Sequence, residues 1–397
     1  MSLLAERLNH PVSTAELERR WLAVRQRMRD EKIDVLLMQN NNDFMGGYVK
    51  WFSDLSATNG YPLTVVFPRE AGMTLVMQAP IGMDRKIPPG DLDLRGVERV
   101  LGVASYASAG YSLGYDNAAV TQALQAYVGG TIGLVGLGTL PVSMLDHLRR
   151  QFTRARFVDA SELVDQIKVI KSDEEIALIR RCASMQDACM DAVFKAIRPG
   201  MRDIEAAAVA EQVSHQFGSE QGLYLCASTP VGQPGPFGPR RYQNRIIREG
   251  DYFAILVENS GPGAQYCELG RTCVLGKASD AMKEEMDFVV RAQQFTVNLL
   301  KPGAACADIW HAYNQFMRDN GRPPEERLYC HGQGYDMVER PLVRFDETMT
   351  IAAGMNLSCH PTYANATGFH WCCDNVLVGP QGGELIHQAP RRLIELG

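Results

Sequence analysis

Two stretches of the chain are built alike. "AIRPGMRDIEAAAVAE", near residue 197, and "LLKPGAACADIWHAYNQ", near residue 300, each close a helical pattern on a basic residue, break at Pro-Gly and enter a second helical pattern through Asp-Ile. A helix–break–helix unit cannot bury its apolar face alone, so two copies point to an internal duplication packed on a shared partner. Strand-like runs around the copies supply it. "DYFAILVENSGPGAQYCELGRTCVLG" reads as a β-hairpin turned at Ser260-Gly261-Pro262-Gly263, and "MNLSCHPTY" and "DNVLVGPQGGELI" add strand near the C-terminus. Paired helices on a curved antiparallel sheet are the expected architecture here.

The residues before this region have another rhythm. "WLAVRQRMRDEKI" is an amphipathic helix leading into the strand "DVLLMQ"; "YPLTVVFP" and "MTLVMQ" follow as strands, then "TQALQAYVG", "TIGLVG" and "SMLDHLRRQF" as helix, strand and helix. Such alternation predicts an open α/β sheet. The rhythm changes where Ser172, with Glu175 three residues on, forms a capping box for a long helix that Pro199-Gly200 stops. At 397 residues the chain is too long for one simple core. The expected division is 1–164 and 165–397, and the expected fold class is α+β.

Composition narrows the function classes. A hydrophobic content of 46% with 22% charged residues allows a large buried core, and a formal charge of −6 gives no basic field for nucleic acid or an anionic membrane. No run approaches the ~20 apolar residues that span a bilayer, and the start "MSLLAERLNHPVS" has no basic flank leading into an apolar run. A cytoplasmic protein is expected, with its ten cysteines reduced.

Chemistry-bearing residues concentrate late in the chain. Residues 357–375 hold His360, His370, Cys359, Cys372 and Cys373, a large share of the eight histidines and ten cysteines of the whole. Upstream, Glu258 sits inside the apolar run "FAILVEN", where an unpaired carboxylate costs several kcal/mol to bury. It must therefore find a cation, a proton or a substrate group. Glu268, on the partner strand, is expected to face the same cavity.

Five strings now carry a resemblance. "IKSDEEIALIRRC", "ELGRTCVLG", the "HGQG" at 331–334, "GMNLSCHPTY" and "CCDNVLV" resemble, in order and spacing, the pita-bread family of methionine and proline aminopeptidases, prolidase and creatinase. The resemblance covers residues 165–397 closely, and the N-terminal α/β domain is similar to that of the creatinase and proline-peptidase branch. In metal-dependent members two aspartates, a histidine and two glutamates hold a pair of divalent ions. The corresponding positions here are Glu258, Glu268, His331, His360 and Cys373.

The resemblance thus implies two alternatives. If an ion is bound, those five residues hold it, and thiolate with imidazole favours a single zinc or iron over the usual two-metal centre. If none is bound, the chain follows creatinase, which keeps the fold without a catalytic ion, and His331, Glu258 and Glu268 do the acid–base work. The stretch where creatinase places its base histidine, residues 226–251, contains no histidine here.

Substrate contacts are expected from Glu339, beside Arg340 and following the histidine loop, and from Arg241, beside Arg240 and Arg245, whose planar fork suits a carboxylate. The loop "NNDFMGGYVKWFSDLSATNGY" resembles the aromatic and basic lid that creatinase-like dimers lay over the partner's site. Trp51 and Phe52 are its candidate contacts, alongside Phe44, Tyr48 and Lys50. His370 and Arg271 fall on the faces away from the site by strand alternation, Arg271 in a structural ion pair. The resemblance implies a homodimeric hydrolase that cleaves a C–N bond in a small polar substrate. A lyase on a small zwitterion, like the dimethylsulfoniopropionate lyase of this fold, and a non-catalytic ligand-binding homologue are the alternatives.

Overall fold

The computed structural model describes residues 11–42, 47–233, 235, 244–365 and 368–397. They form two compact units that divide at Lys168/Val169, a few residues beyond the expected 164/165 break and at the end of a helix rather than inside it. The candidate Arg241 lies outside the described residues, as do Phe44 and Arg240.

In the first unit, helix α1 (Thr14–Asp30) starts at Ser13, whose hydroxyl accepts the Glu16 amide proton. It is followed by β1 (Val35–Asn40), α2 (Gly47–Ser53), β2 (Leu63–Pro68), β3 (Met73–Gln78), β4 (Asp84–Lys86) and β5 (Val97–Val103). The unit closes with α3 (Leu113–Ala123), β6 (Thr131–Leu134), α4 (Val142–Gln151), β7 (Arg156–Asp159) and α5 (Ser161–Lys168). Seven strands make one sheet in the order β4-β5-β3-β2-β1-β6-β7. It is mixed, because β1, β2 and β3 pair antiparallel while β1–β6, β6–β7 and β3–β5 run parallel.

Helix α2 corrects the expectation for Trp51 and Phe52. Both are fully buried within a helix, not displayed on a loop. Arg20 lies over the Trp51 ring, Trp21 donates its indole N–H to the Phe52 carbonyl, and Phe52 meets Phe67 edge-on at 4.9 Å. The apolar face of this short helix belongs to the core, so neither aromatic ring is presented to a ligand.

The second unit opens with α6 (Asp173–Ala196), whose Ser172/Glu175 capping box is formed in both directions. Then come α7 (Asp203–Gln216), β8 (Gly222–Pro230), β9 (Asp251–Ser260), β10 (Tyr266–Leu275), α8 (Asp280–Leu299) and α9 (Cys306–Asp319). Short strands finish it: β11 (Cys330–Gly332), β12 (Glu339–Leu342), β13 (Asn356–Cys359), β14 (Thr362–Asn365), β15 (Gly368–Trp371), β16 (Asp374–Gly379), β17 (Gly382–Leu385) and β18 (Ile394–Leu396). The two similar stretches fold alike, each a long helix, a Pro-Gly break and a second helix.

Two sheets, β18-β10-β9-β8 and β12-β11-β13-β16-β17, are joined where Gly270 and Cys373 exchange backbone hydrogen bonds. Strand β9 is buried on both faces. Phe253, Ile255 and Val257 pack towards Cys182, Met185 and Cys189 of α6, whereas Ala254 and Leu256 pack with Met286, Val289 and Ala292 of α8. Gly270 is required on β10, since a Cβ there would lie 2.2 Å from the Trp371 ring. A glycine thus lets the second sheet close onto the hairpin.

Candidate active site

Strand alternation puts Glu258 on the face of β9 that carries Ala254 and Leu256, and the antiparallel register sets Glu268 directly opposite. Both carboxylates are buried. Burial, and then the charge of Glu268, push the Glu258 carboxyl well above the usual carboxylate range, against one hydrogen bond from Gln333. Burial opposes ionisation of Glu268 too. The imidazoles of His360 and His331 and the Ser358 hydroxyl outweigh it and draw Glu268 down to about 2. One carboxyl of the pair keeps its proton while the other is ionised.

His331 is placed by β11, which pairs with β13 through His331 and Ser358. Its Nδ1 lies 3.0 Å from the Gly332 carbonyl, which can only accept, so Nδ1 carries a proton; Nε2 faces Glu268 Oε2 at 3.6 Å. His360 follows β13 directly and is half-buried, its ring 5.2 Å from that of His331. Burial lowers its pKa and the charge of Glu268 opposes this. Ligand atoms of Glu268, His331 and His360 all lie within 4.8 Å of one another, and no other such group of three occurs among the described residues.

A hydrogen-bonded frame surrounds the cluster. Ser358 Oγ donates to Glu268 Oε2 at 2.7 Å, and the Glu268 amide donates to Asn375 Oδ1 at 2.7 Å. Asn375 Nδ2 donates to Gln333 Oε1 at 2.9 Å, which fixes the Gln333 amide so that Nε2 donates to Glu258 Oε1 at 3.2 Å. Ser358, Gln333 and Asn375 were not singled out from the sequence. Each lies two positions from a residue that was, namely His360, His331 and Cys373. A period-two reading of the same strands would have found them.

Residues 177–380 match the family described as Metallopeptidase family M24. The chain belongs to that family. "Uncharacterized hydrolase/peptidase y4tL" of Sinorhizobium fredii is 27% identical over 396 residues, covering 96% of each chain. The Xaa-Pro dipeptidase of Pyrococcus furiosus is 24% identical over 273 residues, 66% of this chain and 75% of the dipeptidase. Among solved structures, an X-Pro aminopeptidase from Thermotoga maritima has a TM-score of 0.77 at 18% identity, covering 95% of this chain and 99% of that one. The prolidase of Pyrococcus horikoshii gives 0.73 at 20%, covering 95% and 100%. The fold is the pita-bread fold, and the chain is an M24 protein of the hydrolase and peptidase kind.

The five positions that the resemblance assigns to metal ligands, Glu258, Glu268, His331, His360 and Cys373, do not all meet. Only Glu268, His331 and His360 converge. Glu258 Oε1 is already taken by Gln333, and Cys373 Sγ lies 3.3 Å from Ser358 Oγ and 3.4 Å from the Glu268 carbonyl. Burial also pushes the Cys373 thiol well above its usual range, away from thiolate. The convergent set thus offers one carboxylate and two imidazoles.

Other expected residues take structural roles. Glu339 is buried and paired with Lys171 Nζ at 2.9 Å, and it also accepts the Asp336 amide proton. It braces the histidine loop and does not offer a free carboxylate to a ligand. A Cβ at Gly334 would lie 2.6 Å from both Lys171 Nζ and Glu339 Oε2, so a larger residue there would press on the ends of this pair. Arg245 is held by Asp251 and Ser228, and Arg340 by Glu347. Arg271 and Asp374 form a fully buried bidentate pair, 2.7 and 3.1 Å. His370, on β15, meets Tyr252 edge-on, apart from the cluster. A cavity of about 530 Å³ in the first unit, lined by Trp21, Arg25, Glu70, Ile87 and Glu98 among others, contains no candidate residue. No helix among the described residues is long and apolar enough to cross a membrane.

Proposed function

We propose that this M24 protein is a hydrolase that cleaves a C–N bond in a small polar substrate, without the two-ion centre of its relatives. The observation that carries the reading is the opposed pair Glu258 and Glu268, one protonated and one ionised, beside His331. Hydrolysis of a C–N bond needs a proton removed from water and a proton delivered to the leaving nitrogen. Glu268, with the adjacent Nε2 of His331, is the group that takes the first. Glu258 is the group that gives the second. Its proton resides on Oε2, because Oε1 accepts from Gln333.

In the same reading the protein works as a cytoplasmic homodimer on a small molecule and binds neither nucleic acid nor membrane. The charge of −6 supports the last two points. The test is a screen of small amides, amidines and dipeptides for release of amine or ammonia, with His331→Ala and Glu258→Gln run alongside. A turnover that both substitutions abolish supports the assignment. An unsaturated acid as product would instead favour the lyase, and the absence of any turnover would favour the ligand-binding homologue.

A further inference from the structure

We propose that Gln186 and His387, on the far side of the hairpin from the two carboxylates, are positioning residues for Glu258 and Glu268. The proposal rests on the acid–base roles given above and names what holds the two groups in place for them.

Strand β9 divides two environments. Val257 and Asn259 are directed to α6, and Glu258 to the opposite side, where it meets Glu268. Gln186, fully buried on α6, reaches the hairpin from behind. Its Nε2 donates to the Cys267 carbonyl at 2.6 Å and to the Val257 carbonyl at 3.1 Å, with Asn259 Oδ1 at 2.8 Å as a third acceptor. Cys267 and Val257 directly precede Glu268 and Glu258. One side chain thus grips both peptide groups from which the carboxylates spring.

Which end of the Gln186 amide does this is decided by the backbone. The Asn375 N–H can only donate, and it donates to His387 Nδ1 at 3.1 Å. The proton of the neutral ring is then on Nε2, which donates to Gln186 Oε1 at 2.9 Å and leaves Gln186 Nε2 to the carbonyls.

These bonds close a ring. The Glu268 N–H, in the same peptide group as the Cys267 carbonyl, donates to Asn375 Oδ1 at 2.7 Å. From that peptide the ring runs through Asn375, His387 and Gln186 and back, and every member is buried. A planar peptide held at both its N–H and its C=O fixes the direction in which Glu268 leaves the strand. Because this N–H is turned to Asn375, Glu258 and Glu268 form a non-hydrogen-bonded pair of the ladder, the kind whose side chains stand closest. The ring and the Gln186 amide therefore set a spacing that the ladder does not set at this pair. Both carboxyls must reach one substrate to move its two protons, and small displacements of such groups are costly to turnover.

The test compares the full-length protein with Gln186→Met, His387→Leu, His387→Gln and Met185→Ala. Infrared spectra read the carbonyl stretch of the protonated Glu258 carboxyl, assigned by its loss in Glu258→Gln and sensitive to the hydrogen bond from Gln333. The amine-releasing substrate of the screen reads kcat and KM. Gln186→Met and His387→Leu should move the band and lower kcat by ~10²-fold with KM unchanged. His387→Gln, whose amide can still donate to Gln186 Oε1, should keep the band and most of kcat. Met185→Ala loosens the same helix against β9 without touching the ring; it should lower the urea midpoint and leave the band in place.

Circular dichroism checks that each variant folds, and if Gln186→Met does not, the two His387 variants carry the same comparison. A band and kcat unchanged in Gln186→Met and His387→Leu, or an equal shift in Met185→Ala, would overturn the inference, because the ring would then only stabilise the fold. A wild-type protein with no band that Glu258→Gln removes would instead overturn the proposed acid, and this inference with it.

Discussion

Glu258 and Glu268 face each other across β9 and β10, and their carboxyls are driven in opposite directions, the first well above its usual range and the second to about 2. Strand pairing alone would make the two equivalent. The difference comes from what approaches each: a single amide donor at Glu258, but a hydroxyl, a main-chain-fixed histidine and a second imidazole at Glu268. The two substitutions by glutamine should therefore differ. Glu258→Gln imitates the protonated form and should leave stability within ~1 kcal/mol while lowering turnover by ~10²–10⁴. Glu268→Gln removes a charge on which its frame depends and should lower both turnover and the urea midpoint. Equal effects of the two on both readouts would argue against the division of roles.

The buried pair of Arg271 and Asp374 should dominate the stability of the second unit. Arg271 also donates to the carbonyls of Gly270, Cys373, Ala389 and Pro390, so it ties the join between the sheets to the C-terminal segment. Removing one partner leaves a charge buried without compensation, so Arg271→Met should cost ~3–5 kcal/mol. Asp374→Asn should cost a similar amount. In urea denaturation the double variant should fall well short of the sum of the two.

Lys171 and Glu339 allow a direct choice between a structural and a ligand-binding carboxylate. Glu339→Gln should destabilise by ~3 kcal/mol, and adding Lys171→Met should restore part of the loss, because the stranded ammonium is then gone. A Glu339→Gln protein of unchanged stability but raised KM would return Glu339 to the substrate site. Denaturation midpoints and steady-state kinetics on the same preparations decide it.

Stability should depend on pH with two opposed contributions. His387 is fully buried, accepts the Asn375 amide proton at Nδ1 and donates from Nε2 to Gln186; burial holds its pKa at about 4. The unfolded chain binds a proton near pH 6.5 that the folded chain refuses, so stability falls as pH drops from 6.5 towards 4. Asp116 in the first unit behaves in reverse. Burial, with Ser105 alone to offset it, raises its pKa to about 6.

For Asp116 the folded chain holds a proton that the unfolded chain has released, and stability falls as pH rises from ~3.9 to 6. Each contribution is about 3 kcal/mol at full extent. His387→Gln should flatten the acid limb, and Asp116→Asn should raise stability at pH 7 more than at pH 4. Denaturation midpoints across pH 4–8 for the three proteins measure both.

Much of this protein is local and was therefore written in the sequence. The capping box at Ser172, the Pro-Gly breaks of the two helix pairs, the hairpin turn after Ser260 and the opposition of Glu258 and Glu268 depend on neighbours a few residues apart or on period-two alternation. The family itself was legible in five short strings. What the tertiary structure decided was which polar groups meet. Glu339 looked like a ligand-binding carboxylate until Lys171 was placed beside it, and Trp51 and Phe52 looked like a lid until α2 turned them into the core.

Cys373 stood at a metal-ligand position, but its thiol turns to Ser358, while Gln333 and Asn375, silent in the sequence, orient the acid. Residues far apart in the chain set these partners, and the ionisation of a buried group follows from its partners more than from its own type. Sequence placed the carboxylates and histidines of the site. Only packing gave each its charge.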